Sequence, residues 1–238
     1  MPDQLLHQPP PDAPAPPPSE AALYSREKMK WLIQIGVGSM VLLLLLFVLQ
    51  KMGRMRDHGE REIYNNARQV GMALFEFETE YGHFPESSTV AEVKRKGGSL
   101  LTLGGHSSND LFAQLFAAGI AQSESMFYAK SKASKKPDAI WNSDATVLAH
   151  GECGFAYIYG LASTGDPDTP LIFGPVIPGT TTLDRKSNDG KAAVLRMDNS
   201  VTRLPIDSSG KIIYKGMDLL DPRQPFWHGK APDVRWPK

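Results

Sequence analysis

Hydrophobic and polar positions alternate most regularly between residues 63 and 81. Six apolar positions recur there at spacings of four and three, which places them on one face of a helix. They are Ile63, Ala67, Val70, Leu74, Phe77 and Tyr81. The rhythm stops at Gly82, and Phe84 and Pro85 complete a turn of the kind that ends a helix. The stripe predicts an amphipathic helix that packs on another layer of structure.

An uninterrupted apolar run precedes this stripe. The residues from Trp31 to Leu49, WLIQIGVGSMVLLLLLFVL, include no charged side chain. As a helix they cover the roughly 30 Å hydrocarbon layer of a bilayer. The run continues into QKMGRMRD rather than into a small-residue cleavage site, so it predicts a retained anchor and not a cleaved signal peptide.

The apolar run divides the chain into three predicted parts. Residues 1–30 are a proline-rich tail with little to bury, which predicts a disordered segment. Residues 31–50 are the predicted transmembrane helix. Residues 51–238 are long enough for one compact domain with its own core, and they contain no second run of spanning length.

Two shorter helices are predicted after the turn at Pro85. The first is STVAEVKRK, with Ser88 or Thr89 as its N-terminal cap. The second is NDLFAQLFAAGIA, with Asn109 or Asp110 as its cap. A glycine-rich loop is predicted to join them.

Short strands are predicted in the rest of the chain. Five segments are rich in β-branched or aromatic residues and are separated by turn-forming residues. They are GFAYIYGLA, PLIFGPVI, KAAVLRM, VTRLPI and KIIY. Asp198 and Asn199 tolerate the positive φ of a tight hairpin turn between two of them. The order of helices followed by strands predicts an α+β fold. In this fold a long N-terminal helix, half membrane-spanning and half amphipathic, packs on a small antiparallel sheet with short extra helices.

The charge balance argues against nucleic-acid binding. The formal net charge is zero and the sequence pI is about 7.0, so no global positive field attracts nucleic acid. One basic run, KSKASKK at Lys130–Lys136, is typical of a solvated loop and could also contact anionic lipid head groups or an acidic polysaccharide.

The single cysteine, Cys153, excludes an intrachain disulfide and a CxxC motif. In HGEC, His150 precedes it by three residues, a spacing that metal ligands or a nucleophile and its base can use. No third ligand is evident, so Cys153 is expected to be a small buried core residue. Walker, Gly-x-Ser-x-Gly and dinucleotide-binding glycine motifs are absent from the sequence. We therefore expect neither catalysis nor an organic cofactor.

Three stretches resemble one known family. Two of them are similar to part of the type IV pilin-like proteins and of the major pseudopilins of type II secretion, namely the stem helix, the Gly-x-aromatic-Pro turn and the small helix that follows. These two stretches are NARQVGMALFEFETEYGHFP at 66–85 and EYGHFPESSTVAEVK at 80–94. NDGKAAVLRMDN at 188–199 resembles the family's signature of His, nine residues and Asp-Gly, with Asn188 and Asn199 replacing His and Gly. The prepilin cleavage motif is lacking, because LYSREKMK precedes Trp31 and the span contains no glutamate.

The resemblance implies a location and a mode of action. It implies a single-pass protein of the bacterial inner membrane whose C-terminal domain is extracytoplasmic and whose partners are the lipid bilayer and other envelope proteins or pilin-like subunits. More lysines and arginines follow the span than precede it, which by itself favours the opposite orientation.

Calcium is the one ion that the resemblance brings in, because major pseudopilins bind it with loop oxygens. The nearest acidic pair in this chain is Asp166 and Asp168, in STGDPDTP. Their spacing matches no calcium-loop signature, and an ordinary Asp-Pro turn explains it as well.

Two classes of function therefore stay open. The first is a non-catalytic structural or interaction subunit of an envelope secretion or pilus-type assembly. The alternative is a membrane-anchored binding module for a surface ligand such as a polysaccharide or a divalent cation.

Overall fold

The computed structural model of this chain describes residues 20–238, with side chains at 28–51 and from residue 61 onward. Residues 1–19, which hold most of the predicted proline-rich tail, lie outside the described residues. The described chain forms two compact units that divide between Gly53 and Arg54.

Helices and strands follow the predicted α+β order. The α-helices described are α1 (Glu20–Tyr81), α2 (Val90–Gly97) and α3 (Ser108–Ala117). Short 3-10 helices cover Glu124–Phe127, Asn188–Gly190 and Pro225–Trp227. The strands described are β1 (Ala156–Tyr159), β2 (Pro170–Gly174), β3 (Lys191–Arg196), β4 (Val201–Pro205), β5 (Ile213–Tyr214), β6 (Met217–Asp218) and β7 (Asp233–Arg235).

α1 contains the apolar run found in the sequence. Its segment Lys28–Lys51 is long and apolar enough to cross a membrane, and it is the one helix segment of that kind among the described residues. Its side chains are exposed, as an apolar surface for lipid would be. The helix begins at Glu20, inside the stretch that was predicted to be a disordered tail.

The apolar stripe of α1 is buried. None of its six side chains, from Ile63 to Tyr81, is more than 6% exposed. They belong to the same hydrophobic cluster as Ala193 and Leu195 of β3. At Gly71 a Cβ atom would lie 2.9 Å from Leu195 Cδ1, so a glycine permits this close approach.

α1 ends at the residues that the sequence pattern indicates. Gly82 has a φ of +78°, and its N–H donates to the Glu78 carbonyl at 2.7 Å. This is the left-handed conformation that glycine adopts easily after a helix. Phe84 is buried against Phe75, with ring centroids 5.3 Å apart, and the Pro85 carbonyl accepts the Tyr157 hydroxyl at 3.1 Å. The turn thereby ties the end of α1 to β1.

The main sheet of the described chain has five antiparallel strands in the order β4-β3-β2-β1-β7. β1 to β4 therefore form a meander, and β7 is added at the outer edge of β1. The hairpin between β3 and β4 turns at Asn199, whose φ of +61° supplies the left-handed conformation expected there. β5 and β6 pair separately as a two-stranded sheet.

Both faces of the main sheet are covered. Side chains alternate along each strand, so Tyr157 of β1 lies in the cluster that includes α1 and Ile158 lies in a second cluster. The second cluster is completed by residues from the C-terminal part of the chain, including Ile212, Leu219 and Trp227. This additional layer was not predicted, and it explains why β2 is buried along its whole length.

The caps of the short helices differ from the expected ones. Thr89 does cap α2, but its side chain makes no capping hydrogen bond. α3 begins earlier than predicted and is capped by Ser107 instead of Asn109 or Asp110. Ser107 and Asp110 form a reciprocal capping box, which satisfies two backbone N–H groups at the start of the helix.

Candidate cation site

Three acidic side chains converge between α3 and β1. Glu124 begins the 3-10 helix after α3, while Asp138 and Glu152 lie in the irregular segment between Phe127 and β1. Their carboxylate oxygens, one from each residue, all lie within 4.8 Å of one another. This is the one group with metal-ligand spacing in the part of the chain that the structure describes. We call these three residues the acidic cluster.

Backbone N–H groups hold one oxygen of each carboxylate. The donors are close in sequence to Asp138 and Glu152, so the irregular segment folds around the cluster. Each hydrogen bond is 2.8 Å long, and the pairs are Leu148 N to Glu124 Oε1, Ala149 N to Glu152 Oε2 and Ile140 N to Asp138 Oδ1. The other oxygen of each carboxylate makes no hydrogen bond described in the structure.

The acidic cluster is buried on one side and open on the other. Glu124 is fully buried and Glu152 is 5% exposed, whereas Asp138 is exposed. Glu124 Oε2 is buried and has no hydrogen-bond partner. None of the three carboxylates forms an ion pair with a described lysine, arginine or histidine. A buried carboxylate that no opposite charge compensates is costly, so this arrangement favours a positively charged ligand or a bound proton.

The electrostatics of Glu124 follow from this position. Burial is the largest effect and raises the pKa of its carboxyl group, and the negative charges of Glu152 and Asp138 raise the pKa further. The N–H groups of Leu148 and Ile140 act in the opposite direction by stabilising the carboxylate.

The turn that carries Glu152 is held from two sides. The carbonyl of Gly151 accepts the Lys135 N–H at 2.8 Å, and the N–H of Gly151 donates to the Lys238 carbonyl at 3.0 Å. Gly151 has a φ of +91°, which requires a residue without a Cβ. In the sequence, the exposed lysines of the basic run Lys130–Lys136 come just before Asp138.

The structure separates the two residues of HGEC that looked like a possible metal or catalytic pair. Cys153 is fully buried, with Sγ 3.5 Å from the Phe155 carbonyl and 3.7 Å from Ser108 Oγ. Burial raises the pKa of its thiol to about 11. His150 is exposed. The motif instead contributes Glu152, one of the two residues between them, to the acidic cluster.

Asp166 and Asp168 lie in the loop between β1 and β2. Asp166 Oδ1 accepts the Asp168 N–H at 2.8 Å, as in an Asx turn. Asp168 Oδ1 lies 3.1 Å from Arg196 Nη1, which also donates to the Asp168 carbonyl. These contacts suit a structural turn, and a cation at this pair stays a prediction.

The acidic cluster itself was missed by sequence reasoning. Glu124, Asp138 and Glu152 are far apart along the chain and follow no ligand spacing. The one available signal was the length of the irregular segment between α3 and β1, because long loops within compact domains are often functional.

Comparison of this chain with protein-family models, with curated proteins and with solved structures finds no match. Arguments about its function therefore depend on its own residues and their geometry.

Proposed function

We propose that this protein is a membrane-anchored, pilin-like subunit that acts by binding other envelope proteins, with its folded domain outside the cytoplasm. The observation that carries the proposal concerns α1. This one helix includes both the apolar segment Lys28–Lys51 and the buried stripe that ends at Tyr81. The core of the domain is thus formed on the same helix as the anchor.

The order of the remaining elements supports the proposal. Two short helices follow α1, and β1 to β4 then form an antiparallel meander in sequence order. A stem helix followed by a small antiparallel sheet is the arrangement that the resemblance to pilin-like proteins implies. Side chains of α1 and β3 share one hydrophobic cluster, which fits a stem laid on a sheet.

The chemistry of the described side chains suits binding better than catalysis. The only thiol is buried and has a raised pKa, so it is neither accessible nor readily ionised. The convergent carboxylates are fixed by backbone N–H groups and have no nucleophile or histidine hydrogen-bonded to them among the described residues. A non-catalytic role follows as part of the proposal.

Photo-crosslinking in native membranes tests the interaction role. Met72 is 53% exposed and lies on the side of α1 away from the stripe, so a photoreactive residue there reports on neighbours of the stem. We expect discrete crosslinked products with envelope proteins. Leu100, which is 99% exposed on the loop before α3, is the matched position away from the stem.

Two outcomes would contradict this proposal. One is a chain that stays uncrosslinked at Met72 and at the neighbouring exposed positions Arg68 and Glu76. The other is an identical set of products at Met72 and Leu100, because random collisions in the membrane would label both positions equally.

The alternative function, a binding module for a divalent cation, is favoured by one specific observation, the acidic cluster. It is compatible with the first proposal, because a domain that binds partners can also bind an ion.

A further inference from the structure

We propose that Glu124, Asp138 and Glu152 form a calcium-binding site in the segment between α3 and β1. This inference does not depend on the proposed interaction role. It requires only the described geometry of the acidic cluster.

The donor atoms select the class of ligand. All three are carboxylate oxygens, which are hard donors that suit Ca²⁺, Mg²⁺ and Mn²⁺. Cys153 is directed into the core, where it contacts Ser108 and Phe155, and His150 is exposed. Without a thiolate or imidazole in the group, Zn²⁺ and Cu²⁺ are disfavoured.

The coordination geometry that each hard cation requires favours calcium. Ca²⁺ binds oxygen at about 2.4 Å, so oxygens on opposite sides of the ion are about 4.8 Å apart. The three donor oxygens lie within 4.8 Å of one another, which is the range that the ligands of a single Ca²⁺ ion span. Mg²⁺ binds oxygen at about 2.1 Å and requires a smaller and more regular octahedron.

Backbone hydrogen bonds fix the position of the three carboxylates. Each uses one oxygen to accept a backbone N–H, at 2.8 Å in every case, and this leaves its second oxygen available. Such outer hydrogen bonds commonly fix metal-binding carboxylates. The buried Glu124 Oε2 has no other partner, so an ion would satisfy an atom that the described residues leave unpaired.

The exposed Asp138 provides the route of entry and room for water. Ca²⁺ takes six to eight oxygen ligands, and three carboxylates supply between three and six of them. Water can complete the coordination on the Asp138 side, because that residue is exposed. Bound Ca²⁺ would join the 3-10 helix that begins at Glu124 to the middle and the end of the segment between Phe127 and β1, which has no regular secondary structure.

Calorimetric titration of the full-length chain in detergent micelles tests the site. After treatment with a chelator, the protein is titrated with CaCl₂ alone and, separately, with MgCl₂ and ZnCl₂. We expect one saturable Ca²⁺ site per chain with a Kd of about 1 mM or tighter, and Mg²⁺ binding that is at least about tenfold weaker. No Ca²⁺ binding at millimolar concentration, or tighter binding of Zn²⁺, would overturn the proposal.

Matched variants locate the site. Glu124→Gln keeps the shape of the side chain and removes its charge, and Asp138→Asn does the same at an exposed position where folding is not at risk. Each is expected to weaken Ca²⁺ binding more than about tenfold. Asp166→Asn is the control and is expected to bind like the parent protein. Loss of binding in Asp166→Asn, or unchanged binding in Asp138→Asn, would refute the assignment.

Thermal melting gives a second readout, because Ca²⁺ is expected to reverse the order of the melting temperatures of the parent protein and Glu124→Gln. In chelator, Glu124→Gln is expected to melt at the same temperature as the parent or higher, because it removes a buried negative charge beside two others. In excess Ca²⁺ the parent is expected to gain several degrees and the variant almost none. An equal Ca²⁺-dependent gain in both proteins would show that the ion binds elsewhere.

Discussion

Truncation of Leu74 to alanine directly tests whether the stripe of α1 forms the core of the domain. The side chain is fully buried, in the same cluster as Phe77 and Leu195. The change removes three carbons, and at about 0.8 kcal/mol per buried methylene the lost transfer free energy is about 2.4 kcal/mol. The cavity left behind raises the expected destabilisation to about 3 to 5 kcal/mol. This is a large part of the roughly 5 to 15 kcal/mol that stabilises a typical domain.

Urea unfolding of the full-length chain in detergent micelles measures this loss. Trp141, Trp227 and Trp236 are at least partly buried and report on unfolding by fluorescence. With a denaturant slope of about 1 to 3 kcal/mol per molar, the midpoint is expected to fall by about 1 M or more. Glu76→Ala is the matched control, because Glu76 is exposed on the same helix and its loss should change stability by less than about 0.5 kcal/mol.

The two variants also discriminate between two roles of the stripe. If the stripe were a seam for a partner helix, Leu74→Ala would weaken association and leave the unfolding of the isolated chain unchanged. Equal midpoints for Leu74→Ala and Glu76→Ala would therefore refute the conclusion that the stripe is part of the core.

Three further predictions concern other parts of the molecule. A reporter that works only outside the cytoplasm, joined after Lys238 by a flexible linker, is expected to be active; activity of a cytoplasm-only reporter would contradict the proposed topology. Burial opposes ionisation of Asp110, but the hydrogen bond and charge of Lys238 outweigh burial and hold its pKa below the usual value. Asp110→Asn should therefore cost about 1 kcal/mol at pH 7 in urea unfolding. The deficit should begin to shrink as pH falls below about 4, the pKa of aspartate in an unfolded chain, and should continue to shrink through the lower pKa of Asp110 in the folded protein; a constant deficit would refute this. Gly154→Ala would place a Cβ 2.6 Å from the Ala129 carbonyl oxygen and should lower stability by about 3 kcal/mol in the same assay. Gly165→Ala would place a Cβ 3.1 Å from the Ala162 carbonyl oxygen in an exposed loop and should cost clearly less, so equal urea midpoints for the two variants would contradict the close approach at Gly154.

The elements that were predicted well are determined by local patterns in the sequence. The period of the stripe fixes both the helical state of residues 63–81 and the face that is buried, because helix geometry is set over a few residues. Asn199 provides a positive φ in the β3–β4 turn, which a short polar side chain tolerates. The α+β class follows from the order of such local patterns.

Features that depend on distant residues were not predictable in this way. Several residues before α3 can cap a helix, and the choice of Ser107 accompanies a hydrogen bond from the Ser108 N–H to the Trp236 carbonyl. β7 has only three residues and becomes a strand by pairing with β1. Alternation along the chain cannot reveal such a short edge strand.

The acidic cluster belongs to the same category. Its members are brought together by the path of an irregular segment, and each is individually an ordinary acidic residue in the sequence. In HGEC, the histidine and the cysteine suggested a metal or catalytic pair, because those residues are the commoner ligands at that spacing. The glutamate between them has the contacts that matter in the fold.

The position of β7 has a consequence for how the protein is made. This strand pairs with β1, although β2 to β6 lie between them in the sequence. The same C-terminal stretch also reaches α3, since the Lys238 N–H donates to Asn109 Oδ1 at 3.0 Å. Synthesis proceeds from the N-terminus at about 5 to 20 residues per second, so a nascent chain holds β1 with an unpaired edge for several seconds before β7 arrives. During that interval the open edge can accept a strand from another molecule, and a chaperone bound to the nascent chain would protect the domain from such mispairing.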